Sequence, residues 1–165
     1  CAMFLRSLFL EIAIVGYCSV SSTAQEARVF GESDKIAIEK MYDRYLQAFI
    51  KKDYAALREC VQAPFVVLTG GEMQTFESVD AIMTFYRKQL ESLERRNYDH
   101  ADIVNTRITP LTPDGALINK AYRRYKKDAS LLEEGAAIYP VSKASGAWKL
   151  RGLMGQEPQY FGKVY

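Results

Sequence analysis

The sequence predicts an α+β domain, with helices gathered first and an antiparallel sheet after them. Two observations carry this. Apolar residues recur at spacings of three and four from Ile38 to Ile50 and again from Val79 to Leu93, the period of a helix buried on one face. From Tyr98 onward, β-branched and aromatic residues alternate with polar ones, the period of half-buried strands. Nothing repeats as strand, helix, strand, which argues against a parallel doubly wound sheet. The 165 residues suffice for one domain with a core of its own.

Ser33 or Asp34 is placed to cap a first helix whose apolar stripe is Ile38, Met41, Tyr42, Tyr45, Leu46, Phe49 and Ile50. The chain breaks at Lys51-Lys52-Asp53, where Asp53 can cap a second, short helix carrying Leu57, Cys60 and Val61. Pro64 opens an extended run through Thr69, Gly70-Gly71 marks a turn, and Met73 to Phe76 returns as a short strand. Ser78 can cap a third helix with Val79, Ile82, Met83, Tyr86, Leu90 and Leu93 inward. Strands are then expected over Tyr98 to Thr109, Ala116 to Tyr125, Leu132 to Val141 and Ala147 to Met154. Pro113-Asp114-Gly115 turns the first pair.

Bulk properties exclude several classes. The net charge of +2, with 48% hydrophobic and 25% charged residues, gives no basis for binding nucleic acid or an anionic membrane. Residues 1–24 have a different character. Arg6 precedes a mostly apolar run, and Ser22 and Ala24 stand at the −3 and −1 positions of a cleavage site before Gln25. This is the pattern of a secretory signal peptide, although Glu11 within the run opposes insertion. The expectation is export, periplasmic or secreted, with no membrane attachment once the signal is removed. If the segment is instead an N-terminal helix, the protein is expected in the cytoplasm. Residues 25–33 read as a linker and 157–165 as a C-terminal tail. Cys60 would be the one thiol left after cleavage, a small buried hydrophobe by its place on an apolar face. His100 is the lone histidine and no Cys/His cluster has metal spacing, so no metal or other cofactor is implied.

With the elements placed, residues 34–156 resemble a nuclear transport factor two-like domain, of the SnoaL and ketosteroid isomerase kind. The resemblance rests on Tyr42-Asp-Arg-Tyr-Leu-Gln-Ala-Phe49, Lys52-Asp-Tyr-Ala-Ala-Leu57 and Pro64-Phe-Val66. It continues through Phe76-Glu-Ser-Val-Asp-Ala-Ile82, Asp114-Gly-Ala-Leu-Ile118 and Gly146-Ala-Trp-Lys-Leu150. It implies a curved antiparallel sheet wrapped around the N-terminal helices as a cone open at one end, a cystatin-like α+β barrel. It also implies a homodimer. It does not settle function, since this fold carries enzymes, binding proteins and assembly modules.

The resemblance permits a test for catalysis. Ketosteroid isomerases use a tyrosine on the first helix, a carboxylate base on the first strand and a protonated aspartate on a later strand. Tyr45 matches the tyrosine. The base position falls near Val67 or Leu68, and the second acid near Ala137 to Tyr139, where there is no carboxylate. Without a base, proton abstraction from carbon has no agent. Hydratase and cyclase relatives use His/Asp pairs. In a regular strand Tyr98, His100 and Asp102 share one face, so His100 and Asp102 are the candidates here, against the plainer reading of an exposed strand start.

Tyr122-Arg-Arg-Tyr-Lys-Lys127 interleaves aromatic and basic residues, yet its cations fall on both strand faces, as in a solvated strand end. If Arg123 or Arg124 pointed inward, an unpaired guanidinium would favour an anionic ligand. The same question applies to Asn105 and Arg107. The expected function is binding of a small, partly apolar molecule in the cone. Tyr45 is its polar handle, and Phe49, Tyr86, Tyr122, Tyr139 and Trp148 are walls. Two alternatives stand beside it. One is a lyase or isomerase using Tyr45 with His100 and Asp102, and the other is a dimerisation or interaction module.

Overall fold

The computed structural model describes residues 28–144 and 146–161, so the expected signal segment lies outside the described residues. Three helices precede most of the sheet: α1 (Glu32–Lys51), α2 (Tyr54–Cys60) and, after the hairpin β1 (Val61–Thr69) and β2 (Glu72–Phe76), α3 (Val79–Arg95). Four long strands come next: β3 (Tyr98–Thr112), β4 (Gly115–Lys126), β5 (Leu131–Ala144) and β6 (Ala147–Gln156). They form one curved six-stranded sheet in the order β2-β1-β6-β5-β4-β3, with the helices on its inner face. The sheet is antiparallel with one exception. β6 lies parallel to β1, because the meander brings the chain back alongside the first hairpin.

Local chemistry accounts for the helix ends. Asp53 caps α2 by accepting from the Ala56 N–H at 3.0 Å, and Ser78 caps α3 by accepting from Ala81 at 3.2 Å. The break after α1 is made by Lys52 in the left-handed region (φ 57°), whose N–H closes back on Ala48 and Phe49. Gly70 and Gly71, at φ 60° and 82°, take the two positive angles that a tight hairpin turn needs.

The start of α1 differs from expectation. Its N-cap is Gly31, and neither Ser33 nor Asp34 occupies that position. Asp34 sits in the first turn and accepts from the Gly31 N–H at 3.2 Å. It is buried there because partners converge on it from distant parts of the chain. Lys143 Nζ and Trp148 Nε1 each donate to Oδ1 at 3.3 Å, and Arg28 adds an ion pair. The Gly31 N–H, then Lys143, Arg28 and Trp148, hold the Asp34 carboxyl below the ordinary carboxylate range against the opposing effect of burial. A lowered folded-state value contributes stability that is present above about pH 4 and lost as pH falls through that lowered value. Asp34→Asn is therefore expected to lower the melting temperature at pH 7 and to flatten its decline below about pH 4. Circular dichroism melts across pH check this. Parallel curves for the two proteins would show that Asp34 contributes nothing to acid sensitivity.

The core lies between the helices and the sheet's inner face. Ile38, Leu57, Phe65, Tyr86 and Leu150 are wholly buried, as is the free thiol of Cys60. Two bulges in β3 matter for the site. Asp99 and Val104 are extra residues relative to β4, since Tyr98 pairs with Lys126 but His100 with Tyr125, and Ile103 pairs with Tyr122 but Asn105 with Ala121. Each bulge reverses the inward parity of the strand residues beyond it.

Candidate functional site

At one end of the cone, α1, α3 and the long strands line a partly open pocket of about 30 Å³. That is about the volume one water molecule occupies in the liquid. The side chains nearly fill the cone. Tyr42, Tyr45, Leu46 and Phe49 approach from α1 and Gln89 from α3. Tyr98, Ala101 and Ile103 come from β3, Tyr122 and Arg124 from β4, Tyr139 from β5 and Leu153 from β6. Tyr98 also lines an adjoining surface pocket of about 180 Å³, with Ile50, Lys52, Leu90, Glu94, Asp99 and Lys127. Tyr98 is thus shared by the two pockets.

The rings interlock edge to face. Tyr139 meets Tyr42 at 5.1 Å and Tyr45 at 5.9 Å, and Tyr45 meets Tyr86 at 5.9 Å. Burial pushes the hydroxyls of Tyr42, Tyr45, Tyr86 and Tyr139 above the ordinary phenol value, and pushes Tyr98 up to about 12. At neutral pH they are hydrogen-bonding phenols and not bases. Tyr98 carries a buried hydroxyl oxygen with no hydrogen-bond partner, whereas the Tyr86 hydroxyl faces that of Tyr45.

The polar end of the cavity is Arg124. On β4, Ala116, Ile118, Lys120, Tyr122 and Arg124 alternate inward, opposite Val141, Tyr139, Ala137, Gly135 and Glu133 of β5. The Arg124 guanidinium lies 4.6 Å from the centre of the Tyr122 ring and donates from Nη1 to Glu133 Oε1. Glu133 also pairs with Arg96 through its other oxygen. Gly135 shapes the wall opposite. A Cβ there would meet Tyr122 Cζ and the phenol oxygen at 2.5 Å, so the bare backbone lets the Tyr122 ring lie over β5. Deeper along β4, Lys120 is buried 4.4 Å from the centre of the Tyr42 ring, its ammonium donating to Thr106 Oγ1 at 2.8 Å.

Only some of the candidate residues meet here. Tyr45, Phe49, Tyr122 and Tyr139 line the cavity. Tyr86 does not; it stands behind Tyr45 in the core. Trp148 belongs to the Asp34 cluster at the start of α1, because β6 carries it away from the cavity. His100 and Asp102 do not join Tyr45. The bulge at Asp99 turns His100 outward, where it bonds Asp99 Oδ2 at 2.7 Å and stacks on Tyr125 at 5.1 Å. Asp102 is exposed. Arg123 is exposed and paired with Glu134 at 2.6 Å, and Asn105 and Arg107 are exposed too. The isomerase base position is apolar in space as in sequence, with Val67 buried and Leu68 partly exposed. No cavity-lining residue is Asp, Glu or His, so the described lining holds no base for proton abstraction from carbon. Sequence reasoning did not single out Gln89, Ala101, Ile103 or Leu153 as lining. Among the described residues no cluster could hold a metal ion, and no helix is long and apolar enough to cross a membrane.

A curved six-stranded sheet closed over three helices, with a tyrosine-lined cavity at one end, defines an NTF2-like domain. The chain belongs to the family described as NTF2-like protein (DUF6841), whose sequence model matches residues 32–158. None of the curated proteins matches it. Solved structures share its fold. A protein of unknown function with a cystatin-like fold from Nostoc punctiforme superposes with a TM-score of 0.63 at 12% identity, covering 79% of this chain and 98% of that one. An NTF2-like protein of unknown function from Pseudomonas putida gives 0.63 at 13% identity, covering 79% and 90%. A protein provisionally assigned as a ketosteroid isomerase from Shewanella frigidimarina gives 0.58 at 13% identity, covering 73% and 94%.

Proposed function

We propose that this domain binds a small, partly apolar molecule at the tyrosine-lined end of the cone, in a space that extends past Tyr98 into the adjoining pocket. The observation that carries this is the Tyr98 hydroxyl. It is buried and has no hydrogen-bond partner, and its residue lines both pockets. Leaving such a group unpaired costs about 1–3 kcal/mol, which a bound polar atom recovers. Rotation of that one ring would join the space of about 30 Å³ to the adjoining pocket of about 180 Å³. Aromatic walls supply apolar contact, and Gln89, Arg124 and the tyrosine hydroxyls supply orientation. The absence of an acid or base from the described lining favours binding over catalysis.

The test is an NMR titration of the full chain with benzamide, an uncharged and partly apolar fragment. Saturable amide shifts are expected at Tyr98, Ala101, Ile103 and Tyr122, with affinity on the order of millimolar. Gly135→Ala forces Tyr122 off the strand toward the cavity and should weaken that binding about tenfold. Shifts that do not saturate, or that scatter over the outer surface, would overturn the reading.

A further inference from the structure

We propose that the cone selects a monoanionic ligand, a small aromatic or alicyclic carboxylate whose charged end meets Arg124. This rests on the cavity-binding reading above and adds the chemical class of the ligand. The argument begins with a charge count. Glu133 is the one carboxylate shared by two arginines, taking Arg124 on Oε1 and Arg96 on Oε2. The cluster therefore carries one surplus positive charge. The Arg124 side chain is 17% exposed against 46% for Arg96, so Arg124 is the less screened of the two cations.

Geometry directs the charge inward. Arg124 follows the inward alternation of β4 and lines the cavity, whereas Arg123, one residue earlier, points out to Glu134. Stacking on Tyr122 fixes the plane of the guanidinium, which leaves N–H donors other than Nη1 at its edge. The unpartnered Tyr98 hydroxyl and Gln89 stand in the same lining as further donors, and no carboxylate shares it. The acids of the adjoining pocket are matched by cations of its own lining, Glu94 paired with Lys52 at 2.8 Å and Asp99 accompanied by Lys127. One surplus positive charge matches one negative charge, so a carboxylate is balanced where a phosphate dianion is not. The Tyr42, Tyr45 and Phe49 rings then face the ligand's apolar body.

The test compares benzoate with benzamide, which share shape and differ in charge, by NMR titration of the full chain at pH 7 and fixed salt. Benzoate is expected to bind about tenfold or more tightly than benzamide, with shifts at the same cavity amides. Arg124→Gln should erase that preference, so that the variant binds benzoate no more tightly than benzamide. Glu133→Gln removes the competing carboxylate and should strengthen benzoate further. It also carries the test alone if Arg124→Gln does not fold. Equal binding of the two probes, or benzoate binding unchanged or weakened by Glu133→Gln, overturns the anion inference and leaves the cavity reading standing. Saturable binding of neither probe overturns both.

Discussion

Replacing Gly152 with alanine is expected to cost about 3 kcal/mol, roughly 10 °C in melting temperature. Gly152 lies on β6 opposite Val66 of β1, at the one parallel join in the sheet. A Cβ there would lie 2.5 Å from the Val66 carbonyl oxygen and 3.6 Å from Pro140 Cδ. A carbonyl within a strand cannot rotate aside, so relief requires β1 and β6 to part. That join closes the sheet over the helices, and Phe65, adjacent to Val66, is wholly buried beneath it. Gly155→Ala, further along the same strand, is the internal control. Its Cβ would meet Thr69 Cγ2 at 3.3 Å, a side chain able to give way, so the cost should stay below about 1 kcal/mol. Thermal denaturation of both variants checks the contrast. Equal small losses would mean that β1 and β6 separate easily and that the join is not a rigid part of the fold.

What could be read from the sequence divides along a physical line. The helix breaks at Lys52 and Asp53, the Ser78 cap and the Gly70-Gly71 turn are local devices, in which one side chain or one missing Cβ acts on neighbouring backbone. They are legible for that reason. The N-cap of α1 is not, because Asp34 answers to Lys143 and Trp148, far away in sequence. Strand parity fails at a specific point. A bulge leaves no compositional mark, so nothing in Tyr98-Asp99-His100 announces that Asp99 is the extra residue and His100 faces out. The Arg124–Glu133 pair emerges only once the register of β4 on β5 is known. One signal does stand in the sequence. A glycine in mid-strand, Gly135, often marks close approach by another group, and here that group is the Tyr122 ring.

Tyr86 separates what stabilises this fold from what the site requires. Its ring is wholly buried and packs edge to face with Phe65 and Phe49 at 6.1 Å, Tyr45 at 5.9 Å and Phe85 at 5.3 Å. Tyr86→Ala removes that junction of α1, α3 and β1 and should cost about 4 kcal/mol, more than the clash at Gly152. The hydroxyl is a different matter. It is buried, burial keeps it protonated far above neutral pH, and it faces the Tyr45 hydroxyl. Tyr86→Phe deletes the hydroxyl and keeps the ring, so its cost should stay within about 1 kcal/mol, the net worth of one hydrogen bond. Urea unfolding of the two variants checks the contrast. A loss on Tyr86→Phe as large as that on Tyr86→Ala would show that the hydroxyl, and not the ring, holds the junction. A gain would mean that the wild-type chain carries, beside Tyr45, a polar atom that its own packing does not need.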